Sequence, residues 1–313
     1  MRRSSAACVR EVLLACGVLV GCSGNGAGPA GNEPPPKPAR SAPPPAASLI
    51  PTGAPSASAP PEPSASASNL PDPPEDPRAQ RARISTEFAG RRPHAWGLSI
   101  PGVVTTVATE GASIALTFDA CGGPGGDGYD AALIEYLKKE QVPATLFLTS
   151  KWIAARKQTA QSLASESLFE IENHGSAHRP CSVTGRSAYD IRGTRNVGDA
   201  IDEIQRGSKA IFELTGKAPR FYRPGTAYFD DVCLDVASAL GETGAGFAVN
   251  GDGGTGFSRA QVRDAIVKAR SGSIVLLHMN HPGAHTREGV MDAIPILRAR
   301  GVKMVRLRDA PVK

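Results

Sequence analysis

Seven short runs of apolar and β-branched residues, at 114–118, 144–149, 169–173, 221–223, 246–249, 274–278 and 303–307, punctuate the second part of this chain. Between them lie amphipathic stretches at 129–140, 151–165, 197–215, 231–241, 259–270 and 286–300. Strand and helix in strict succession specify an α/β fold with a parallel sheet, because parallel neighbours need a crossover that returns over the sheet. Seven strands fit an open doubly wound sheet or a closed, barrel-like one. Periodicity does not choose between them.

Polar residues stand where such folds do their chemistry. Asp119 follows the first run, His174 follows the third, Arg223 ends the fourth and His278 ends the sixth. All four fall at carboxyl-terminal strand ends, the edge at which parallel α/β folds bind ligands.

The first part of the chain reads differently. Arg2, Arg3 and Arg10 precede a short apolar run that closes on Leu19-Val20-Gly21-Cys22, so residues 1–21 read as a secretory signal too short to span a membrane. The Cys22 site resembles a bacterial lipobox, which implies cleavage before Cys22, lipid on its sulfur and anchoring to the cell envelope. Seventeen of the 27 prolines lie between positions 29 and 77, and no aromatic residue occurs before Phe88. Such a segment cannot bury enough apolar surface to offset its ordering entropy, so residues 22–87 are expected to form a disordered tether and 88–313 the folded domain. The net charge of +5 comes from scattered basic residues without interleaved aromatics, which excludes a nucleic-acid partner.

Four segments carry candidate chemistry. In Thr117-Phe118-Asp119-Ala120-Cys121-Gly122-Gly123, the carboxylate of Asp119 sits on a glycine-rich turn after a buried strand. There it can ligate a metal or act as a general base, whereas Asp127 and Asp130 are better placed to cap the following helix. His174 and His178 are four residues apart at a strand end, a spacing that lets two imidazoles converge on one divalent ion. In Phe221-Tyr222-Arg223-Pro224-Gly225-Thr226, proline biases Arg223 to extended geometry and Gly225 permits a close backbone approach by ligand. The amide of Thr226 is then placed to face a developing oxyanion. His278 is the first polar group after a buried run, while His281 and His285 read as a solvated or substrate-facing loop.

Taken in order, these segments resemble the polysaccharide deacetylases, the NodB-homology group also called carbohydrate esterase family 4. The likeness covers roughly residues 113–308 and rests on Thr117-Phe118-Asp119, His174-Gly175-Ser176-Ala177-His178, Arg223-Pro224-Gly225 and Leu276-Leu277-His278. It implies a distorted (β/α)7 barrel and metal-dependent removal of acetyl groups from a polysaccharide such as peptidoglycan or a chitin-like glycan. It also implies His174 and His178 as metal ligands, Asp119 as base, His278 as acid and Arg223 as the residue that tunes the base. Asp252 is the candidate for a further catalytic carboxylate, and Thr226 and Asn280 are the expected substrate contacts. The metal implied is zinc, with cobalt or another divalent ion as alternative.

One departure stands out. Ala120 occupies the place of a second aspartate that completes the family's metal site, which leaves Asp119 itself or Asp127 to supply the third ligand. Cys121 and Cys233 follow two turns on the same expected strand-end face, so a disulfide is expected between them, with Cys181 as the competing partner. A monomeric, envelope-anchored deacetylase is the reading that results. A glycan-binding module that has lost its metal and a metal-dependent amidase on another substrate are the alternatives.

Overall fold

The computed structural model describes residues 76–313; the signal segment, Cys22 and most of the expected tether lie outside the described residues. Strands β1 (Trp96–Gly97), β2 (Ser113–Ala120), β3 (Ala144–Leu148) and β4 (Phe169–Asn173) come first, and β5 (Ser187–Ala188) and β6 (Ile191–Arg192) form a small hairpin. Then follow β7 (Phe221–Tyr222), β8 (Phe229–Asp230), β9 (Thr243–Gly244), β10 (Val249–Asn250), β11 (Ile274–His278) and β12 (Lys303–Val305). The helices are α1 (Pro77–Glu87), α2 (Ala131–Lys139), α3 (Ser150–Ala155), α4 (Lys157–Ser165), α5 (Val197–Thr215), α6 (Asp231–Ala239), α7 (Arg259–Val267) and α8 (Thr286–Ala299).

The main sheet runs β10-β11-β2-β3-β4-β7-β9, with β12 paired to the start of β2, and every pairing in it is parallel. The expected strand at 246–249 is instead two short strands on one continuous stretch. Its start, β9, pairs with β7, and its end, β10, pairs with β11. That stretch links the two edges of the sheet and curls it into a distorted barrel.

Strand β2 is buried along its whole length, as a strand covered on both faces must be. Its alternate residues separate cleanly. Ile114, Leu116, Phe118 and Ala120 pack with Leu133, Leu137, Trp152, Ile294 and Leu297 in the layer between sheet and helices. Ala115 joins Phe147, Phe221, Ala245 and Leu307 on the barrel side, where Thr117 and Asp119 meet Arg223.

Local signals account for the helix ends. Asp130 accepts from the Leu133 amide at the start of α2, and Asn196 from the Asp199 amide at the start of α5. Gly216, at φ 70°, ends α5 in the left-handed conformation that glycine adopts without strain. The expected helix at 151–165 is broken at Arg156 into α3 and α4.

Two expectations need correction. Residues 77–87, read by composition as tether, form α1, capped by Asp76 with Pro77 in its first turn. Its Ile84 is fully buried in a cluster with Phe88, Ile201, Ile204 and Val236, so the domain begins earlier than position 88. The disulfide joins Cys181 to Cys233, with Cα atoms 5.6 Å apart, and Cys121 is free. Asp230 accounts for that pairing: its carboxylate accepts from the amides of Val183 and Cys233 and so holds the two segments together. Among the described residues no helix is long and apolar enough to cross a membrane.

Candidate active site

Asp119 ends the barrel-facing row of β2 and is 3% exposed. Its Oδ1 accepts from Arg223 Nη1 at 2.7 Å, and its Oδ2 lies 3.6 Å from His174 Nε2. Arg223 is fully buried. Its guanidinium also donates to Thr117 Oγ1 at 2.9 Å and to the carbonyls of Ala245 and Gly246, and it lies 4.1 Å over the Phe147 ring. A buried cation with this many acceptors and a facing carboxylate has one available position, so it fixes Asp119 in turn.

His174 follows β4 and is buried. Its Nδ1 is 2.7 Å from the Arg223 carbonyl, which can only accept, so Nδ1 carries the proton and Nε2 faces the site with its lone pair. Burial works against charge on this ring, but Asp119 and Cys121 outweigh it and raise His174 above its ordinary pKa. The His178 ring lies 5.0 Å from that of His174, centroid to centroid. His178 adopts φ 59°, a left-handed conformation uncommon outside glycine.

That conformation is held by Glu203, which sequence reasoning missed. Its Oε1 accepts from the amides of Ser176 at 3.0 Å, Ala177 at 2.7 Å and Arg179 at 3.4 Å, so the loop between the two histidines wraps around one carboxylate oxygen. Gly175 is required at the turn: its φ is 80°, and a Cβ there would stand 2.7 Å from Glu203 Oε1. Gly225 has a different role from the one expected. A side chain there would run into the His178 main chain, so the close approach it permits is to the histidine loop and not to a ligand.

Cys121 is the second residue that sequence reasoning assigned elsewhere. Its Sγ is 3.9 Å from His174 Nε2, and the ligand atoms of Cys121, His174 and His178 all lie within 4.8 Å of one another. Asp119 stands outside that group. Burial pushes the Cys121 thiol up, but the facing His178, with His174 and His278, brings it well below its ordinary value. One sulfur and two imidazole nitrogens suit zinc, whose catalytic sites use three protein ligands and keep a fourth place open. Asp127, the other carboxylate considered for the metal, accepts instead from the Gly123 amide at 2.6 Å and stabilises the glycine turn.

His278 ends β11, with Nδ1 3.1 Å from both oxygens of Asp252. Asp252 is fully buried and also accepts from the His278 amide at 2.8 Å and Thr286 Oγ1 at 3.0 Å. Burial lowers the His278 pKa, yet Asp252 and Cys121 overcome it and leave the ring well above its usual value. Burial likewise raises Asp252, and His278 more than reverses it.

Thr226 adopts φ 71° in the turn after Arg223, and its buried Oγ1 has no hydrogen-bond partner. Asn280 is 1% exposed; its Nδ2 donates to the Gly126 carbonyl, while its Oδ1 has no partner. Asn280 lines an open cleft of about 520 Å³ with Asp127, Arg156 and His281. None of the cysteine–histidine cluster lines that cleft.

The polysaccharide deacetylase family model matches residues 106–245. The chain is 26% identical over 209 residues to the peptidoglycan-N-acetylmuramic acid deacetylase PdaA of Bacillus subtilis, covering 64% of this chain and 72% of that protein. Among solved structures it resembles that of Bacillus subtilis PdaA, a family 4 carbohydrate esterase (TM-score 0.54, 23% identity, 74% of this chain and 88% of that one). It also resembles the wild-type family 4 pseudoenzyme BA3943 of Bacillus anthracis (TM-score 0.57, 21% identity, 68% and 71%). Residues 106–245 form a polysaccharide deacetylase domain of the NodB-homology, carbohydrate esterase 4 group. The class so defined is a hydrolase acting on N-acetyl groups of polysaccharides.

Proposed function

We propose that this chain is a metal-dependent deacetylase that removes acetyl groups, by preference N-acetyl, from a cell-envelope or extracellular polysaccharide of the peptidoglycan or chitin type. One observation carries the reading. At one end of the parallel sheet meet a carboxylate held by a buried arginine, a histidine held by a buried carboxylate, and two histidines with a thiol at ligand spacing.

Each residue then has a task. Asp119, anchored to Arg223 through Oδ1, directs Oδ2 toward the cluster and takes the proton of the attacking water. The amide of Thr226 is the donor for the oxyanion that develops on the acetyl carbonyl. His278 uses Nδ1 on Asp252, which leaves Nε2 to hand its proton to the departing amine. Asp252 orients the ring and stabilises its charged form before the transfer. Asn280 positions the sugar from the cleft that it lines. A divalent ion held by His174 and His178, zinc by preference and cobalt as alternative, supplies polarisation of the acetyl oxygen and a water of lowered pKa.

The envelope setting follows from the Cys22 site: a lipid there and a proline-rich tether give a monomer reach toward its polysaccharide. Cys22→Ser should move the protein from the membrane fraction to the soluble one; unchanged fractionation would remove the anchor.

A glycan-binding module without turnover is the second reading, favoured by Ala120 and by the pseudoenzyme among the structural neighbours. Acetate release by the full chain from acetylated chitooligosaccharides and peptidoglycan, with and without added zinc, separates the readings. Zinc-stimulated acetate supports the deacetylase. Glycan binding without acetate establishes the module, and release only from non-glycan amides establishes an amidase.

A further inference from the structure

We infer that Cys121, as a thiolate, is the third protein ligand of the metal, in place of a carboxylate at position 120. This rests on the metal-dependent reading above and adds the identity of the third donor, among the described residues the one side chain that falls within 4.8 Å of both histidine nitrogens in a three-donor group.

Strand parity comes first. Along β2 the side chains at 114, 116, 118 and 120 enter the layer beneath the helices, while those at 117 and 119 reach Arg223 inside the barrel. A side chain at 120 therefore faces away from the histidines, and position 121 is the next to face them.

Distance comes second. Donors sharing a tetrahedral ion with bonds of about 2.0–2.3 Å stand roughly 3.3–3.8 Å apart. The Cys121, His174 and His178 atoms, none more than 4.8 Å from another, need only a small contraction to reach that spacing.

The third ground is that the donors are held in place. Thr149 Oγ1 donates to the Cys121 carbonyl at 2.7 Å. Gly122, at φ 73°, turns the chain so closely that a Cβ would stand 2.8 Å from the Trp152 amide. His174 is fixed through Nδ1 by the Arg223 carbonyl, the outer contact that metal-bound imidazoles characteristically make. The sulfur is also available, because Cys181 and Cys233 are bonded to each other.

On binding, the S–H bond breaks, its proton passes to solvent, and a sulfur lone pair forms the bond to the metal, with no change in oxidation state. A thiolate with two imidazoles selects zinc or cobalt over magnesium, calcium or manganese. With the thiolate as third ligand, Asp119, which is not within 4.8 Å of all three donors and is held through Oδ1 by Arg223, is left for the role of base.

The test uses the full chain, stripped with chelator and titrated anaerobically with cobalt(II). One cobalt per chain with intense near-ultraviolet thiolate-to-cobalt absorption is the expected result. Cys121→Ser should abolish that absorption and weaken cobalt binding by more than the roughly 10–100-fold that loss of an outer contact costs. Cys121→Asp should bind cobalt without the absorption, and circular dichroism checks that both variants fold. Stoichiometric cobalt without the absorption in the unaltered chain, or Cys121→Ser binding as tightly, overturns the sulfur ligand and leaves the metal-dependent reading standing. An unaltered chain that binds neither cobalt nor zinc overturns both. Metal-independent acetate release with labelled acetyl trapped on Cys121 would make the thiol a nucleophile and overturn the ligand assignment.

Discussion

Arg223 donates from Nη1 to Asp119 Oδ1 at 2.7 Å, with both side chains sealed from solvent. Through that one bond the end of β2 and the turn after β7 become parts of a single device. Removing one partner of such a pair leaves an uncompensated buried charge, which typically costs about 3–5 kcal/mol. The base is thus better tested by a change that keeps its shape. Asp119→Asn keeps an acceptor oxygen for Arg223, whose other bonds to Thr117, Ala245 and Gly246 remain, though its charge is left unbalanced. Assayed as folded protein checked by circular dichroism, it should lose about 10²–10⁴-fold in acetate release, and His278→Ala should lose a comparable factor. Undiminished turnover in either variant would remove that residue from the mechanism.

Glu203 binds the loop of the proposed metal ligands through that loop's backbone: three amides of the 176–179 segment converge on its Oε1. Glu203→Ala should weaken zinc binding by roughly 10–100-fold, the usual effect of losing a group that orients a ligand. Glu203→Gln, which keeps an acceptor oxygen, should retain most of the affinity. Chelator competition measures both. Full affinity in the alanine variant would show that the loop holds its shape without the carboxylate.

Restoring an aspartate at position 120 should not help this protein. The Ala120 side chain is fully buried beside Leu148, Trp152 and Phe118, where a carboxylate finds no partner. Ala120→Asp should lower stability by at least about 1–3 kcal/mol in denaturant unfolding and leave metal affinity no higher. A variant that gains affinity at undiminished stability would show that β2 can turn this side chain toward the histidines.

Glu242 gives a pH prediction. It is 4% exposed and accepts from Asn173 Nδ2 at 2.8 Å and from Ser208 Oγ. Burial pushes its pKa up to about 8, against hydrogen bonds from Ser208 and Asn173 that lower it. The folded state then holds a proton that the unfolded state has released. Its stabilising contribution is complete below the unfolded value near 4.5 and is lost as pH rises to about 8, at up to about 1.4 kcal/mol per pH unit. Glu242→Gln should flatten the fall in melting temperature between pH 5 and 8 in buffers spanning roughly that window. An unchanged slope would assign the pH dependence to other groups.

The sequence showed the architecture more plainly than the site. Alternating runs placed the long strands β2, β3, β4 and β11 because each buries both faces and so reads as an uninterrupted apolar stretch. The stretch 243–250 escaped that reading, since only its two ends pair with the sheet. Helix α1 was masked by the proline-rich composition around it, and only Ile84 and Phe88 reveal that it has a core to join. Asp119, His174, Arg223 and His278 were legible as first polar residues after buried runs. Cys121 carried the same two-residue step from Asp119, a signal overlooked in favour of oxidation. Glu203 offered no local signal at all, because its meaning depends on α5 lying against a loop 24 to 27 residues away. The Cys181–Cys233 pairing depended equally on a tertiary detail, the shared carboxylate of Asp230.

Because Cys181 and Cys233 close on one another, the described residues contain an odd number of thiols. Among the described residues Cys121 has no other free sulfur with which to form a reversible bond while that bridge is intact. Under oxidising conditions its unprotected fates are capping by a foreign thiol or stepwise oxygenation, of which the later steps are irreversible. Such a protein would age through its metal-free form, and its working lifetime would track the supply of the cation that shields the sulfur.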